Sequence, residues 1–253
     1  MTTFKSYHQQ TAPLLIANVW DVASAKTAKE LGFTAIGTSS GAMATMLGYN
    51  DGEEISFEEL EYLVKRITTT VNIPLSVDLE AGYSRDPQQI VAHIQLLARL
   101  GVKGINLEDS LVFGERKMVN ATEFSDLIKQ IKKGLLAQQM EIFLNIRTDT
   151  FLLNLPDALP ETIERAQLYQ SAGADGLFVP CIEQVSDIQQ LVQQVDLPLN
   201  VMCMPNLPDF STLQQLGVKR ISMGNFAFNQ MQQQLKKSYQ DILHNRSFQS
   251  IFA

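Results

Sequence analysis

The stretch Leu100-Gly101-Val102-Lys103-Gly104 decides the fold, because it marks the end of one helix and the start of a buried strand. The same arrangement recurs as LGFTA at residues 31–35, AGADG at 172–176 and LGVKR at 216–220. In each copy a glycine ends a helical stretch, as glycine commonly does at a helix C-terminus, and a short apolar run follows it. The recurrence predicts a chain that alternates helix and strand.

These copies and two further strand starts together predict eight strands. IPL at 73–75 and LPL at 197–199 mark two more strand starts, where a proline costs no ladder hydrogen bond. The predicted strands are Leu14–Val19, Ala35–Thr38, Leu75–Asp78, Gly104–Glu108, Ile142–Arg147, Gly176–Val179, Leu199–Met202 and Arg220–Met223. They are short and apolar on both faces, which is typical of a buried parallel sheet. Predicted helix starts support the alternation: Asp21, Ser56 with Glu59, Asp86-Pro87 with Gln89, and Asn120 with Glu123.

This pattern predicts an α/β fold of the (β/α)8, TIM-barrel type, with residues 1–253 forming a single domain. The length suits such a barrel, since about 250 residues is typical. An open doubly wound sheet is the alternative, but it would call for a glycine-rich phosphate loop after the first strand. Asn18-Val19-Trp20-Asp21 stands there instead.

Composition excludes several classes of protein. The formal charge of −7 and the lack of clustered Lys and Arg argue against a nucleic-acid partner. No apolar run approaches the roughly 20 residues that cross a membrane, and MTTFKSYHQQ lacks the features of a signal peptide, so we expect a cytoplasmic protein. Cys181 and Cys203 have neither disulfide nor zinc-site spacing and are predicted to be small core residues.

Charged side chains stand at the ends of three neighbouring predicted strands. These strands run into DLEAGY at 78–83, EDS at 108–110 and RTD at 147–149. Barrel active sites lie at this edge, and carboxylates on adjacent strands repel one another unless a cation compensates. The pattern therefore predicts an oxygen-ligated Mg²⁺ or Mn²⁺. For Asp109 and Asp149 the simpler interpretation is helix capping or pairing with Arg147.

Two features point to an anionic ligand. Arg147 either neutralises the acids or binds a substrate carboxylate through two parallel hydrogen bonds, and we favour the second role. The segment Thr38, Ser39, Ser40 and Gly41 offers hydroxyls and backbone N–H groups to a carboxylate or phosphoryl oxygen. The three histidines fall in predicted helices, on the surface or in packing roles.

In order along the chain, these motifs resemble the isocitrate lyase and phosphoenolpyruvate mutase superfamily from about Phe4 to Phe226. The segments that carry the resemblance are ANVWDVASAKTAKELGF (17–33), GTSSGAMATMLGYNDG (37–52), SVDLEAGY (76–83), GINLEDS (104–110), NIRTDTFL (145–152) and AGADGLFVP (172–180).

The resemblance implies a site and a chemistry. Asp78, Glu80 and Glu108 would hold Mg²⁺ directly or through water, with Asp51 nearby. Ser39 and the adjacent backbone, with Arg147, would bind the carboxylate of an α-oxo acid. The family forms or cleaves a C–C or C–P bond next to a metal-stabilised enolate of pyruvate.

Departures from the family leave the reaction open. The lyase branch carries a cysteine in a mobile KKCGH-like loop after the fourth strand, whereas residues 111–118 here read LVFGERKM. The mutase branch has a tryptophan where Gly37 stands and a histidine where Pro180 stands. The expected activity is that of a lyase or decarboxylase acting on an oxaloacetate-like or malate-like acid. A phosphonopyruvate mutase or hydrolase, and a barrel that only binds ligand, are the alternatives.

The sequence also offers candidate residues for proton transfer and a segment for subunit assembly. With Arg147 and Asp51, Tyr83 is a candidate catalytic residue, and residues 115–117 (Glu115, Arg116, Lys117) are further groups that could supply or position a proton. Family members commonly form tetramers by exchanging the last helix, so a homo-oligomer is expected, either a dimer or a tetramer. Segment Asn229–His244 has apolar residues at helical spacing, which would pack on a neighbouring subunit or equally on its own barrel.

Overall fold

Helices and strands alternate through residues 3–252, the part of the chain that the computed structural model describes. The strands are β1 (Leu14–Leu15), β2 (Ala17–Val19), β3 (Ile36–Thr38), β4 (Leu75–Asp78), β5 (Gly104–Glu108), β6 (Ser110–Phe113), β7 (Glu115–Met118), β8 (Phe143–Arg147), β9 (Gly176–Val179), β10 (Leu199–Met202) and β11 (Arg220–Ser222). The α-helices are α1 (Phe4–Tyr7), α2 (Val22–Glu30), α3 (Ser40–Leu47), α4 (Phe57–Thr68), α5 (Pro87–Arg99), α6 (Ala121–Ala137), α7 (Ala158–Ala172), α8 (Val185–Gln194), α9 (Phe210–Gln215) and α10 (Phe226–Asn245). A 3₁₀ turn covers Gln249–Ile251.

Nine of these strands form one parallel sheet in the order β1-β11-β10-β9-β8-β5-β4-β3-β2. The two strands at the ends of this order are consecutive in the chain, because only Ile16 separates them. β1 pairs with β11 and β2 pairs with β3, while the Ile16 N–H donates to the Ile221 carbonyl over 2.9 Å. The sheet therefore closes on itself. Counted as one barrel strand, β1 and β2 complete a ring of eight, which confirms the predicted barrel.

Strand and helix boundaries follow the sequence closely. β4, β5, β9 and β10 have the predicted bounds, and the first strand differs only because the chain changes neighbours at Ile16. Ser56 and Glu59 form the predicted capping box of α4. Asp86 accepts from the Gln88 N–H at the start of α5, and Pro87 lies in the first turn. Local capping chemistry thus fixes where these helices begin.

Residues 110–118 do not form an open loop. β6 and β7 pair antiparallel as a hairpin, with Ser110 opposite Met118 and Phe113 opposite Glu115. Gly114 makes the turn at a φ of +74°. The hairpin lies on the side where β5 ends, so it stands over the carboxyl edge of the barrel.

The main core fills the space between the sheet and the surrounding helices. Ile90, Ile94 and Leu97 recur at helical spacing on α5 and are buried against the barrel. At the opposite end of the barrel, α1 closes the bottom: the Phe4 ring meets Phe143 edge-on at 5.9 Å, and His8 stacks on Phe143 at 4.0 Å. The site edge is therefore the open end.

Helix α10 projects from the barrel. Of its residues only Phe228 is buried, and the Phe228 ring meets Trp20 edge-on at 5.1 Å. Four apolar side chains stay exposed along it: Met231, Leu235, Tyr239 and Leu243. Of the two packing alternatives for this segment, packing on its own barrel is thus limited to the first turn. Among residues 3–252, no helix has the length and apolar character needed to span a bilayer.

Candidate active site

Asp78 ends β4 at the carboxyl edge of the barrel, where it is buried. Its Oδ2 accepts a hydrogen bond from the Ser40 hydroxyl over 2.9 Å, and its backbone N–H donates to Thr38 Oγ1 over 2.7 Å. Within the described residues, Oδ1 has no hydrogen-bond partner. Burial raises the pKa of Asp78, although the charge of Arg147 opposes the shift. One oxygen is therefore held in place and the other is available to a ligand.

Glu80 follows two residues later, in the left-handed region at a φ of +48°. Its carboxylate accepts from the Glu53 N–H over 2.6 Å and from the Tyr83 hydroxyl over 2.9 Å. Burial, reinforced by the charges of Asp51, Asp78 and Glu108, raises the pKa of Glu80 to about 8. Burial and the Glu80 carboxylate also raise the pKa of Tyr83, so its hydroxyl stays protonated.

Glu108 ends β5 next to two arginines. Arg116, from the hairpin, donates to Glu108 Oε1. Arg147 Nη1 lies 3.0 Å from Glu108 Oε2, but without hydrogen-bond geometry, so this buried oxygen has no hydrogen-bond partner within residues 3–252. Burial raises the pKa of Glu108 to about 7, against the opposing charge of Arg147. Glu108 Oε2 and Asp78 Oδ1, on adjacent strands, are thus both buried carboxylate oxygens without a hydrogen-bond partner within residues 3–252.

Asp149 accepts hydrogen bonds from both arginines. Arg147 donates to it through Nε at 2.6 Å and Nη2 at 3.1 Å, and Arg116 Nη1 donates over 3.1 Å. Burial opposes ionisation of Asp149, but Arg147 outweighs it and holds the pKa below its usual value. Pairing with Arg147, the simpler interpretation from sequence, is thus what the structure shows for Asp149. Arg147 itself stands in the neutralising geometry rather than facing an empty cleft.

The three predicted metal ligands share one sector of the barrel edge. In the part of the chain that the structure describes, however, no three acidic, histidine or cysteine side chains converge closely enough to form a preassembled metal site. The donor chemistry still fits a hard divalent cation, because Asp78 Oδ1 and Glu108 Oε2 are buried carboxylate oxygens that lack hydrogen-bond partners. Holding a cation would require Glu108 to give up part of its contact with the arginines.

The segment around Asp51 faces the hairpin. Asp51 Oδ2 lies 3.8 Å from Arg116 Nη2 and is half exposed. Gly52 has a φ of +120°, and a Cβ there would come within 2.8 Å of the Val112 side chain. Only glycine permits this approach. Asp51 is thus held beside Arg116, opposite Glu108.

The predicted oxygen-binding segment lies where β3 passes into α3. Thr38 and Ser40 direct their hydroxyls to Asp78, and Ser39 caps α3 by accepting from the Ala42 N–H over 3.4 Å. A Cβ at Gly41 would lie 3.4 Å from Asp51 Cγ, so this turn packs against the Asp51 segment. The hydroxyls therefore support the acids, and the substrate role of this segment stays a prediction.

Asp109 points away from the site, on the other face of the strand end. It accepts from Tyr169 and Thr148 hydroxyls, each over 2.7 Å, and from Arg165 Nη1 over 3.2 Å. The Asp149 N–H also donates to it over 3.1 Å. Asp109 therefore fixes the backbone from which Asp149 projects. The simpler interpretation from sequence, helix capping or pairing with Arg147, is wrong for Asp109: its arginine partner is Arg165. Sequence could not reveal this network, because Arg165 and Tyr169 are far away in the chain.

Arg116 is the principal group at the edge whose position the sequence did not reveal. The alternation of LVF and ERK around Gly114 was a usable signal for a hairpin, since a glycine between two short runs is typical of a tight turn. The prediction that both cysteines are core residues was wrong. Cys181 is half-buried just beyond β9, and Cys203 is exposed just beyond β10.

Comparison with known proteins shows the family to which the chain belongs. The sequence profile described as phosphoenolpyruvate phosphomutase matches residues 4–243. The chain belongs to this family. Its membership of the isocitrate lyase and phosphoenolpyruvate mutase superfamily is thereby confirmed, and with it the prediction of an enzyme, a lyase or mutase by class.

Individual relatives span most of the chain. It is 33% identical over 227 residues to an uncharacterised protein of Mycobacterium tuberculosis, covering 90% of this chain and 83% of the relative. It is 30% identical over 220 residues to oxaloacetate decarboxylase 1 of Pseudomonas fluorescens, covering 84% and 74%. A crystal structure from Burkholderia cenocepacia, described provisionally as a phosphonomutase, superposes with a TM-score of 0.89 at 32% identity, covering 94% of this chain and 97% of that one. The phosphoenolpyruvate phosphomutase family therefore supplies both the fold and the class of reaction.

Proposed function

We propose that this chain is a Mg²⁺-dependent lyase that decarboxylates a small α-oxo dicarboxylate of the oxaloacetate class. One observation carries the proposal: adjacent strands end in Asp78 and Glu108, and each carries a buried carboxylate oxygen without a hydrogen-bond partner, beside Arg147. The similarity to an oxaloacetate decarboxylase supports the substrate class. Substituted malates, which are α-hydroxy acids, are the nearest related substrates.

The cation would be held by Asp78, Glu80 and Glu108, directly or through water, with Asp51 contributing from the facing segment. Mg²⁺ suits this all-oxygen set, and Mn²⁺ is the expected substitute. When bound, the cation supplies Lewis-acid stabilisation of the negative charge that develops on the substrate's carbonyl oxygen.

Arg147 would bind a carboxylate of the substrate. Its guanidinium is buried and already oriented by Asp149 through Nε and Nη2. Its Nη1 lies 3.0 Å from Glu108 Oε2 without hydrogen-bond geometry, so a substrate carboxylate would bind there by exchanging with Glu108 in this ion pair. The Ser39 N–H already donates to the Val19 carbonyl over 3.0 Å. The backbone N–H groups of Ser40 and Gly41, in the first turn of α3, would bind the same end of the substrate.

The bond between the methylene carbon and the departing carboxylate breaks, carbon dioxide leaves, and the electron pair passes into the enolate of pyruvate. A proton must then return to the methylene carbon. Tyr83 is the proposed donor because its hydroxyl carries a proton and lies 2.9 Å from Glu80. Since burial and the Glu80 charge raise the pKa of Tyr83, tyrosinate is disfavoured, and a proton that Tyr83 gives up has to be replaced at once from Glu80 or from water.

The test compares wild type with Asp78→Ala and an acidic control, Asp126→Ala, which removes an exposed carboxylate paired only with Lys129. We expect Mg²⁺ with oxalate, an enolate mimic, to raise the Tm of wild type and of the control. Asp78→Ala should lose this rise and lower the oxaloacetate turnover above the spontaneous rate by on the order of 100-fold or more. Unchanged Tm response and turnover in Asp78→Ala would remove the metal-site hypothesis.

C–P bond chemistry is a second candidate, favoured by the family profile and by the phosphonomutase-like relative. The structure gives one argument against the mutase route. A Cβ at Gly37 would lie 2.9 Å from Ile16 Cγ2, so a tryptophan could not stand there without displacing the core. Parallel assays of phosphonopyruvate and oxaloacetate with Mg²⁺ separate the two reactions. Ligand binding without turnover of either would indicate a barrel that only binds.

We also propose that a second copy of the chain covers the exposed apolar stripe of α10, giving a dimer or tetramer. The stripe runs through Met231, Leu235 and Tyr239, one turn apart, all exposed. Leu235→Asp should lower the mass found by light scattering to that of smaller species. Gln233→Asp, on the opposite side of the helix, should leave it unchanged. A monomeric wild type would overturn the assembly.

A further inference from the structure

A layer of polar side chains, four neutral and one an arginine, lies inside the barrel beneath the active site. Ser76, Asn106 and Asn145 lie two residues before Asp78, Glu108 and Arg147, and therefore on the same faces of β4, β5 and β8. Hydrogen bonds that join non-adjacent strands, from Asn145 to Asn200 and from Arg220 to Ser76, place this face inside the barrel. Asn200 and Arg220 are register partners on β10 and β11 and complete the set. We call these five residues, Ser76, Asn106, Asn145, Asn200 and Arg220, the floor layer. Branched apolar residues usually dominate such positions in a barrel.

Arg220 brings a charge into this layer without an acid to meet it. The residue is 2% exposed. Its Nη2 has only two long contacts, 3.3 Å to Ser76 Oγ and 3.4 Å to Asn106 Oδ1, both neutral. Its Nε and Nη1 have no hydrogen-bond partner, and no ion pair forms between Arg220 and any acid of residues 3–252. The buried Arg147 and Arg165, by contrast, each pair with a carboxylate.

The neighbouring amides are largely committed to each other. Asn145 Nδ2 donates to Asn106 Oδ1 over 2.9 Å and to Asn200 Oδ1 over 3.1 Å. Asn200 Nδ2 donates to the Ser222 hydroxyl over 3.1 Å. Asn145 Oδ1 also has no hydrogen-bond partner within residues 3–252, so it does not accept from Arg220. The guanidinium therefore keeps the N–H groups of Nε and Nη1 without an acceptor from the layer.

Solvent does not reach Arg220 from below. Phe143 and His8, stacked on each other, are 4% and 2% exposed and close the bottom of the barrel. Burial lowers the pKa of Arg220 to about 10, with only the charge of Asp78 opposing, so the side chain remains cationic at neutral pH. A buried charge without compensation costs several kcal/mol. The fold therefore favours a partner for it.

We propose that Arg220 binds a monovalent anion of halide size inside the barrel, held by its unpartnered N–H groups within the floor layer. A single negative charge matches the one uncompensated positive charge. A halide imposes no directional acceptor geometry and loses its hydration more readily than phosphate or sulfate. A dianion would leave one negative charge buried.

The test uses the full chain, purified and dialysed in gluconate salts. The Tm is measured while chloride replaces gluconate from 1 to 100 mM at constant ionic strength. For a site half-saturated at about 1 mM, chloride should raise the Tm by on the order of 5 °C. Arg220→Met should lose this rise. Arg99→Met, which removes one positive charge from the exposed surface of α5, should keep it.

Crystals grown in bromide give a readout that does not depend on any variant. We expect an anomalous peak at the Arg220 guanidinium in wild type. If Arg220→Met does not fold, the proposal is tested by the chloride dependence of the Tm of Arg220→Lys and by the bromide anomalous map of wild type. Equal chloride responses in wild type and variant, or ordered water only at Arg220, would overturn the proposal. Neither result depends on decarboxylase activity, so failure here and failure of the proposed reaction are distinguishable.

Discussion

The carboxyl edge of the barrel, here called the mouth, and the floor layer lie two residues apart along the same strands. They differ in how their charged side chains are compensated. Asp78, Glu108 and Arg147 stand at the mouth, where acids and arginines compensate one another. One inward position below them are Ser76, Asn106 and Asn145, which are neutral. Charge is concentrated where a ligand can reach it. The difference teaches that the mouth compensates its charges with groups of the protein, whereas the floor layer leaves the one charge of Arg220 without an acid among residues 3–252.

The largest expected effect is on activity at the mouth. Arg147→Met should lower kcat/KM for the substrate by about 1000-fold, because it removes both the carboxylate contact and a positive charge. Arg147→Lys should recover only part of this, since an ammonium cannot make two parallel hydrogen bonds. Steady-state kinetics and circular dichroism check this result. A folded Arg147→Met variant with wild-type kcat/KM would contradict the role of Arg147 at the mouth.

Asp109 tests what a fully compensated buried charge contributes to stability. Asp109→Asn places an amide against hydroxyl donors and leaves Arg165 without its paired carboxylate. We expect the free energy of unfolding to fall by about 3 kcal/mol. Guanidinium denaturation measures this change. Asp126→Asn, at an exposed pair on α6, should stay within about 0.5 kcal/mol, and an equally small loss in Asp109→Asn would contradict the prediction.

His8, which lies below the floor layer, should make the free energy of unfolding depend on pH. Burial, reinforced by Arg220, lowers the pKa of His8 to about 3, from an ordinary value of 6.5. The unfolded state therefore binds the proton first, and stability present above pH 6.5 is lost as the pH falls towards 3. Between pH 6.5 and 5 the loss should be about 2 kcal/mol.

Urea denaturation at pH 7 and pH 5 checks the sign and size of this effect. In His8→Phe the drop in unfolding free energy between the two values should shrink by that amount. His244→Gln, at the exposed end of α10, should keep the wild-type drop. If His8→Phe lost as much stability as wild type, His8 would not be the source.

The smallest expected effect concerns competition at Glu108. Arg116 contacts Glu108 and Asp149, so a divalent cation must displace part of its bonding. Arg116→Gln should lower the Mg²⁺ concentration that gives half of the full Tm shift by about tenfold, or 1.4 kcal/mol. Lys117→Gln, exposed on the same hairpin, is the matched control. A weaker Mg²⁺ response in Arg116→Gln would show that Arg116 assists the cation instead.

Much of the barrel could be predicted from sequence, for local reasons. Glycine-ended helices and apolar runs bounded by them give the strand positions, and β4, β5, β9 and β10 begin and end as predicted. Because parallel strands end at one edge, Asp78, Glu108 and Arg147 could be placed together without knowing any distance. Capping residues such as Ser56 fixed the helix starts in the same way.

What could not be predicted depends on contacts between distant segments. The division of the first strand at Ile16 arises because its two halves pair with strands at opposite ends of the chain order. The ion pairs of Arg116 depend on a hairpin that packs against a distant segment of the chain, since its Val112 side chain lies against Gly52. Arg220 reads in sequence as an ordinary strand-start residue, and its isolation from acids emerges only when the barrel closes around it.

That closure has a consequence for how the chain folds. β1 finds its partner only when β11 exists, and the Met223 N–H donates to Asn18 Oδ1 across 205 residues of sequence. At roughly 5–20 residues per second on a ribosome, the first strand waits on the order of 10–40 seconds for its neighbour. Until then the growing sheet has two unpaired edges, which are templates for aggregation. The joining of the two ends of the chain is therefore the step that removes both exposed edges.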